Sequence, residues 1–115
     1  MLPLGVRILV CTTPQDMRKS YDTLAAVVRE ALHEEPQSGS LYVFVGKRPT
    51  RVKVLWWDRN GYCLLCKRLH RALFRMPEAS SDNETVVRID GDGLAELLAG
   101  VDRENKRASR PSVLQ

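Results

Sequence analysis

The chain is 115 residues long, 43% hydrophobic and 28% charged, a size and balance that suit one globular domain and exclude disorder throughout. Its opening residues, Met1-Leu2-Pro3-Leu4-Gly5, lack the basic start and apolar run of a secretory signal, and no apolar stretch approaches the ~20 residues that span a bilayer. Three cysteines, Cys11, Cys63 and Cys66, are too few for a disulfide framework and fit a reducing compartment, so a cytoplasmic protein without membrane contact is expected.

Taken in chain order, Val6 to Val10 is β-branched and apolar and predicts a first strand. Thr13-Pro14-Gln15-Asp16 has the residues of a helix start, and Met17, Tyr21, Leu24, Val28 and Ala31 recur at helical spacing behind it. Pro36 and Gln37-Ser38-Gly39 end that helix. Leu41 to Val45 is a continuous apolar run, the pattern of a strand covered on both faces. Arg51 to Asp58 and Tyr62 to Lys67 predict a hairpin around Asn60-Gly61, since both residues tolerate positive φ. Leu69 to Met76 fits either a short strand or a helical turn. Thr85 to Ile89 predicts another strand, and Asp90 or Asp92 caps a helix whose Leu94, Leu97, Leu98 and Val101 share a face, with Gly100 near its end. These elements predict one α+β domain over residues 1–102, an antiparallel meander of about 4–6 strands packed with two helices, followed by a mobile basic tail at 103–115.

The net charge of +4 is distributed unevenly. Residues 47–75 hold Lys47, Arg48, Arg51, Lys53, Arg59, Lys67, Arg68, Arg71 and Arg75 against Asp58 alone, a balance of +8, whereas residues 76–102 come to −6. Lysine and arginine neutralise phosphates and release counterions, and arginine grips a phosphate through two donors. Lys47, Arg48, Arg51, Lys53, Lys67, Arg68, Arg71 and Arg75 are therefore the candidate nucleic-acid-binding residues, with an acidic protein partner or a merely solvated face as the alternatives. A turn at Asn60-Gly61 places Lys53 across from Arg68, a like-charge pair that calls for an anionic partner.

Trp56 and Trp57 alternate to opposite faces, so both are core only if both faces are covered, and an exposed ring beside the basic residues, with Trp57 the partner-binding candidate, would stack on a base or anchor a partner. Arg18 and Lys19 beside Asp16 form either a partner-facing or phosphate-facing element or a solvated first helix turn. Cys63, Cys66 and His70 have part of a zinc-ligand spacing, but the second half of such a site is missing and a strand sends the two cysteines to opposite faces, so they read as small buried residues and no metal is expected. Asp16, Asp22 and Asp58 read as capping and turn acids rather than as a two-metal nuclease centre. With no phosphate loop, nucleophile–histidine pairing or dinucleotide fingerprint, neither catalysis nor a cofactor is expected.

One further pattern spans Val6 to Asp102. Asp16-Met17-Arg18-Lys19, Asp22 with Leu24-Ala25, Ser38-Gly39-Ser40-Leu41-Tyr42-Val43-Phe44, Lys53-Val54-Leu55-Trp56-Trp57-Asp58, Gly61-Tyr62-Cys63-Leu64, Lys67-Arg68-Leu69 and Leu97-Leu98-Ala99-Gly100-Val101-Asp102 follow one another in fixed order. This succession resembles the small accessory protein, called TnpB and encoded by the second reading frame, of the insertion sequence 66 group of transposable elements. The chain departs from that pattern at Ser20, Thr23 and Ala72, where the family has glycine, at His70, where it has glutamate, and at Met76, where it has tryptophan. The resemblance implies a bacterial protein that assists DNA transposition beside a separate transposase, and it brings no catalytic residues. Its expected partners are DNA at the element ends and the element's transposase. A protein-docking factor of the transposition complex with no DNA contact is the alternative.

Overall fold

The computed structural model describes residues 5–78 and 83–102; the basic tail expected at 103–115 lies outside the described residues. Strand β1 (Ile8–Cys11) leads through a long loop into helix α1 (Tyr21–Glu30) and returns as strand β2 (Leu41–Val45). Strands β3 (Arg51–Asp58) and β4 (Gly61–Arg68) follow as a hairpin, then the short strand β5 (Ala72–Leu73), strand β6 (Val86–Ile89), helix α2 (Gly91–Ala99) and the short strand β7 (Val101–Asp102). The result is a small α+β domain with two helices and a mostly antiparallel sheet of five strands in the order β4-β3-β2-β1-β6, beside a two-stranded β5-β7 sheet.

Strands β2, β3 and β4 form the expected meander, but β1 and β2 pair in parallel, with Ile8 opposite Leu41 and Val10 opposite Val43. Parallel pairing needs a crossover rather than a hairpin, and α1 supplies it. β6 returns from far along the chain to pair antiparallel with the outer side of β1.

Alternation sorts the core onto two faces. Leu9, Cys11, Tyr42, Phe44 and Leu55 meet Leu24, Ala25 and Val28 of α1 on one. Ile8, Val10, Val43, Val52 and Val54 meet Phe74 and the α2 residues Leu94 and Leu97 on the other. All five residues of β2 are buried, as a strand covered on both faces requires. The buried Tyr42 phenol donates to the Glu35 carbonyl at 2.9 Å, so its polar end is satisfied within the core.

The first helix begins later than Thr13-Pro14 suggests. Ser20 is its N-cap, and the Thr23 hydroxyl accepts from Ser20 N–H at 2.8 Å, the reciprocal arm of a capping box. Ahead of it, the Asp16 carboxylate accepts from Arg18 N–H at 2.9 Å, a local bond that competes with helix. Tyr21, expected on the apolar face, is 46% exposed.

The β3-β4 turn is Arg59-Asn60, not Asn60-Gly61. The pairing slides by two residues, which keeps every side chain on its face while bringing Trp57 opposite Tyr62, Leu55 opposite Leu64 and Val54 opposite Leu65. Apolar cross-strand pairs thus outweigh turn preference, at the cost of a left-handed backbone at Arg59, φ 54°. Gly61 becomes a strand residue opposite Asp58.

Asp90 caps α2 by accepting from Gly93 N–H at 2.8 Å, and the helix stops at Gly100, φ 75°. A Cβ there would meet Leu69 Cδ1 at 2.6 Å and the Leu73 carbonyl oxygen at 3.0 Å, so the turn into β7 demands glycine.

Candidate functional site

The α1 side of the sheet is not fully covered. The α1-side core includes Leu55 of β3 and Leu64 of β4, and toward Lys53, Arg51, Cys66 and Arg68 a cleft is lined by the sheet, the 46–50 loop and residues 15–17. Gln15 forms an isolated parallel bridge with Gly46, and its N–H donates to the Val45 carbonyl at 2.9 Å. This single strand-like contact sets the wall of the cleft. At Gly46 a Cβ would lie 2.7 Å from Met17 Cγ, so the close approach of wall and loop depends on the missing side chain.

The 46–50 loop is tied at both ends. Gly46 N–H donates to the Arg51 carbonyl at 3.0 Å, and Leu69 N–H and Phe74 N–H reach the Thr50 and Pro49 carbonyls at 2.8 Å and 2.6 Å. Lys47 and Arg48 are therefore presented to solvent from an anchored backbone.

Four of the eight candidate cations converge here. Lys47, Arg48, Arg51 and Arg68 line one cavity of about 500 Å³ together with Gln15, Asp16 and Met17. The slipped register makes the like-charge pair Arg51 and Arg68, directly opposite across the two strands, whereas Lys53 faces Cys66. Like charges directly opposite repel. Among the described residues none of these four cations has an ion-pair or side-chain hydrogen-bond partner.

Asp16 is the acid at this cavity, and it is already engaged. Arg18 Nη2 reaches its carboxylate at 2.6 Å and Nε at 3.1 Å. The Arg18 side chain and backbone N–H beside Asp16 hold its carboxyl well below the usual carboxylate range, and the same bonds raise the Arg18 guanidinium. The carboxylate thus offers little compensation to the cations around it.

The other four candidates do not line this cavity. The half-buried Lys53 turns its ammonium to the Lys19 carbonyl at 2.6 Å, bracing the loop that enters α1. Lys67 points to the α2 face, where its ammonium donates to the Leu98 carbonyl at 2.8 Å. That position suits a helix C-terminus, and α2 has no basic residue of its own in its last turn. Arg71 is exposed past the end of β4. Arg75 lines a separate cavity of about 300 Å³ with Pro49, Phe74, Met76 and Val101.

Arg18 and Lys19 sit in the loop before α1 rather than on its first turn, and the Arg18 side chain is 91% exposed. Trp57 lies six residues along β3 from Arg51, roughly 20 Å at strand rise, and packs edge to face on Tyr62 with ring centroids 5.0 Å apart. It is half-buried and outside the cleft, while Trp56 packs against the core of the α2 side. Asp22 is exposed on α1, and Asp58 stands at the far end of β3, so the three acids Asp16, Asp22 and Asp58 do not converge.

Cys63 and Cys66 face opposite sides of the sheet, but they are not the small buried residues expected: Cys63 is half-buried and Cys66 is exposed. The reason is topological, because β4 is an edge strand with one side open. Cys66 instead joins the cleft. A second cavity of about 280 Å³, which shares Met17, Arg51 and Arg68 with the first, is also lined by Cys66 and Lys53. Sequence reasoning missed Gln15, Met17, Gly46 and Cys66 as parts of this site. The signal for the wall was the Asp16-Met17-Arg18 turn followed by Ser20 and Thr23, which breaks the helix pattern before residue 20.

Comparison with known proteins adds an identity to this geometry. A family model described as IS66 Orf2 like protein matches residues 6–108. An uncharacterized protein of Sinorhizobium fredii (strain NBRC 101917 / NGR234), y4hO, is 38% identical over 115 residues, covering 97% of each chain. A second uncharacterized protein of the same strain, y4jC, is 33% identical over 98 residues, covering 85% of this chain and 81% of its own. No solved structure matches. Among the described residues no helix is long and apolar enough to cross a membrane.

Proposed function

Since the chain belongs to the IS66 Orf2-like family of insertion-sequence accessory proteins, we propose that it assists transposition by binding DNA at the element ends through the cleft between residues 15–17 and the β3-β4 strands. The family is an accessory protein of these elements, not a known enzyme, and the chain acts by holding DNA rather than by cutting it. One observation carries the reading: Lys47, Arg48, Arg51 and Arg68 surround a single cavity with no ion-pair partner among the described residues, and its one carboxylate is bound to Arg18. Repulsion stored between such cations is relieved when phosphates neutralise them and counterions leave.

The test is a salt titration of DNA binding by the whole chain. Four phosphate contacts give a slope of log K against log salt of roughly −3 to −4. The double variant Arg51→Glu, Arg68→Glu removes two contacts and adds repulsion, so both the affinity and the slope fall. Binding that ignores salt, or is unchanged in that variant, overturns the proposal.

A second reading has its own support. Tyr21, 46% exposed, and Arg18 stand together at the entry to α1 and offer an aromatic and a cation to a protein partner. Docking on the element's transposase through this corner predicts co-purification that Tyr21→Ala abolishes while DNA binding persists.

A further inference from the structure

The cleft has two parts of different chemistry. The larger cavity is rimmed by Lys47, Arg48, Arg51 and Arg68, and the smaller one is a slot under Met17. Alternation turns the Val52 and Lys67 side chains to the other face of the sheet, so these residues give the slot backbone atoms. The Lys53 ammonium is committed to the Lys19 carbonyl, which leaves its methylene stem toward the slot. What remains is a thioether from Met17, a thiol from Cys66 and the stems of Lys53, Arg51 and Arg68. Such surfaces contact a flat apolar group. Arg51 and Arg68 border both cavities, and a guanidinium grips phosphate through its N–H edge while its plane stacks on a base.

We propose that the cleft takes an unpaired nucleotide of single-stranded DNA, its phosphate among Lys47, Arg48, Arg51 and Arg68 and its base in the slot between Met17 and Cys66. This rests on the DNA-binding reading and narrows it. A duplex keeps its bases stacked inside and presents phosphates alone, so it fills the cationic cavity and leaves the slot empty. An unpaired strand fills both, because splayed bases stack on apolar and guanidinium surfaces.

The experiment is fluorescence anisotropy with the whole chain and three labelled probes carrying equal numbers of phosphates: a mixed-sequence single strand, a duplex of half its length, and a single strand in which every base is replaced by an abasic site. The intact single strand binds about tenfold tighter than the abasic strand, the scale of one base stacked on protein. Met17→Ala, which removes a wall shared by both cavities, weakens binding of the intact single strand by more than it weakens duplex binding. Cys66→Tyr, which fills the slot from an exposed position outside the cationic cavity, brings the intact strand down to the abasic level and leaves duplex binding unchanged, with circular dichroism confirming that both variants fold. Equal, salt-dependent binding of all three probes overturns the inference and leaves the DNA-binding reading standing. Absence of binding to every probe overturns both, as does tighter binding of a glutamate- and leucine-rich peptide than of any DNA.

Discussion

The two faces of the sheet are cut from the same strands, yet they use their charges differently. On the α2 side the one basic residue of β4 that reaches over the helix, Lys67, is absorbed into structure at the Leu98 carbonyl. On the α1 side Arg51 and Arg68 are set directly opposite each other, with the adjacent acid already paired to Arg18. The segment that reads as one basic block is therefore partitioned by strand alternation into a cation that completes a helix and cations left without counter-charge. Net charge over a segment locates an electrostatic feature, and the pleat decides which members take part.

The largest expected effect comes from breaking either face at its core. Phe44→Ala on the α1 side destabilises by ~3–5 kcal/mol and Leu97→Ala on the α2 side by ~2–5 kcal/mol, read from denaturant unfolding; both side chains are buried, at 0% and 2% exposure. Equal losses would show that the two faces hold the fold together to the same extent although only one carries the cleft. Gly46→Ala comes next. The added methyl must displace Met17, which costs ~1–3 kcal/mol of overpacking, and single-strand binding weakens with it because the slot loses its wall. Lys67→Ala costs about 0.3–1 kcal/mol through the C-terminus of α2 and leaves the salt slope of DNA binding where it was, whereas Arg68→Ala does the reverse. That pair of neighbours is the sharpest test of the division between faces.

The smallest effect concerns Asp16→Asn, which releases Arg18 and removes the cavity's carboxylate, so DNA binding tightens slightly. Because Arg18 holds the folded carboxyl below its unfolded value, any stability from this pair is fully present above the ordinary carboxylate range, is lost progressively as pH falls below it, and is gone once pH has fallen through the depressed folded value. Thermal melting of the parent and of Asp16→Asn should therefore run parallel through neutral and mildly acidic pH and converge only in strong acid.

Much of this architecture was legible because local pattern and tertiary environment agree. The apolar run Leu41 to Val45 announced a strand buried on both faces, and Asp90 with Gly100 bracketed the second helix. The site was harder to read because its wall comes from residues whose helical spacing is accidental. Met17 does pack against the α1-side core, which is why it fits the periodic pattern, but it does so from a loop. Ser20 and Thr23 are the residues that cap the helix and so delimit that loop. The hairpin register failed for a different reason. Asn60-Gly61 is the better turn in isolation, and the sum of Trp57–Tyr62, Leu55–Leu64 and Val54–Leu65 contacts across eight paired positions overrides it. A long cross-strand sum is invisible to a turn rule.

The placement of β6 bears on how the protein is made. Synthesis releases the chain from its N-terminus, so β1, α1 and the β2-β3-β4 hairpins leave the ribosome well before Val86–Ile89. Throughout that interval β1 has a hydrogen-bonded neighbour on its β2 side and an open apolar edge on the other, in a strand whose four residues are all buried once folding is complete. The nascent protein thus passes through a stage in which β1, later an inner strand, is a sheet edge. The arrival of its last long strand, rather than the closure of any loop, ends the exposure.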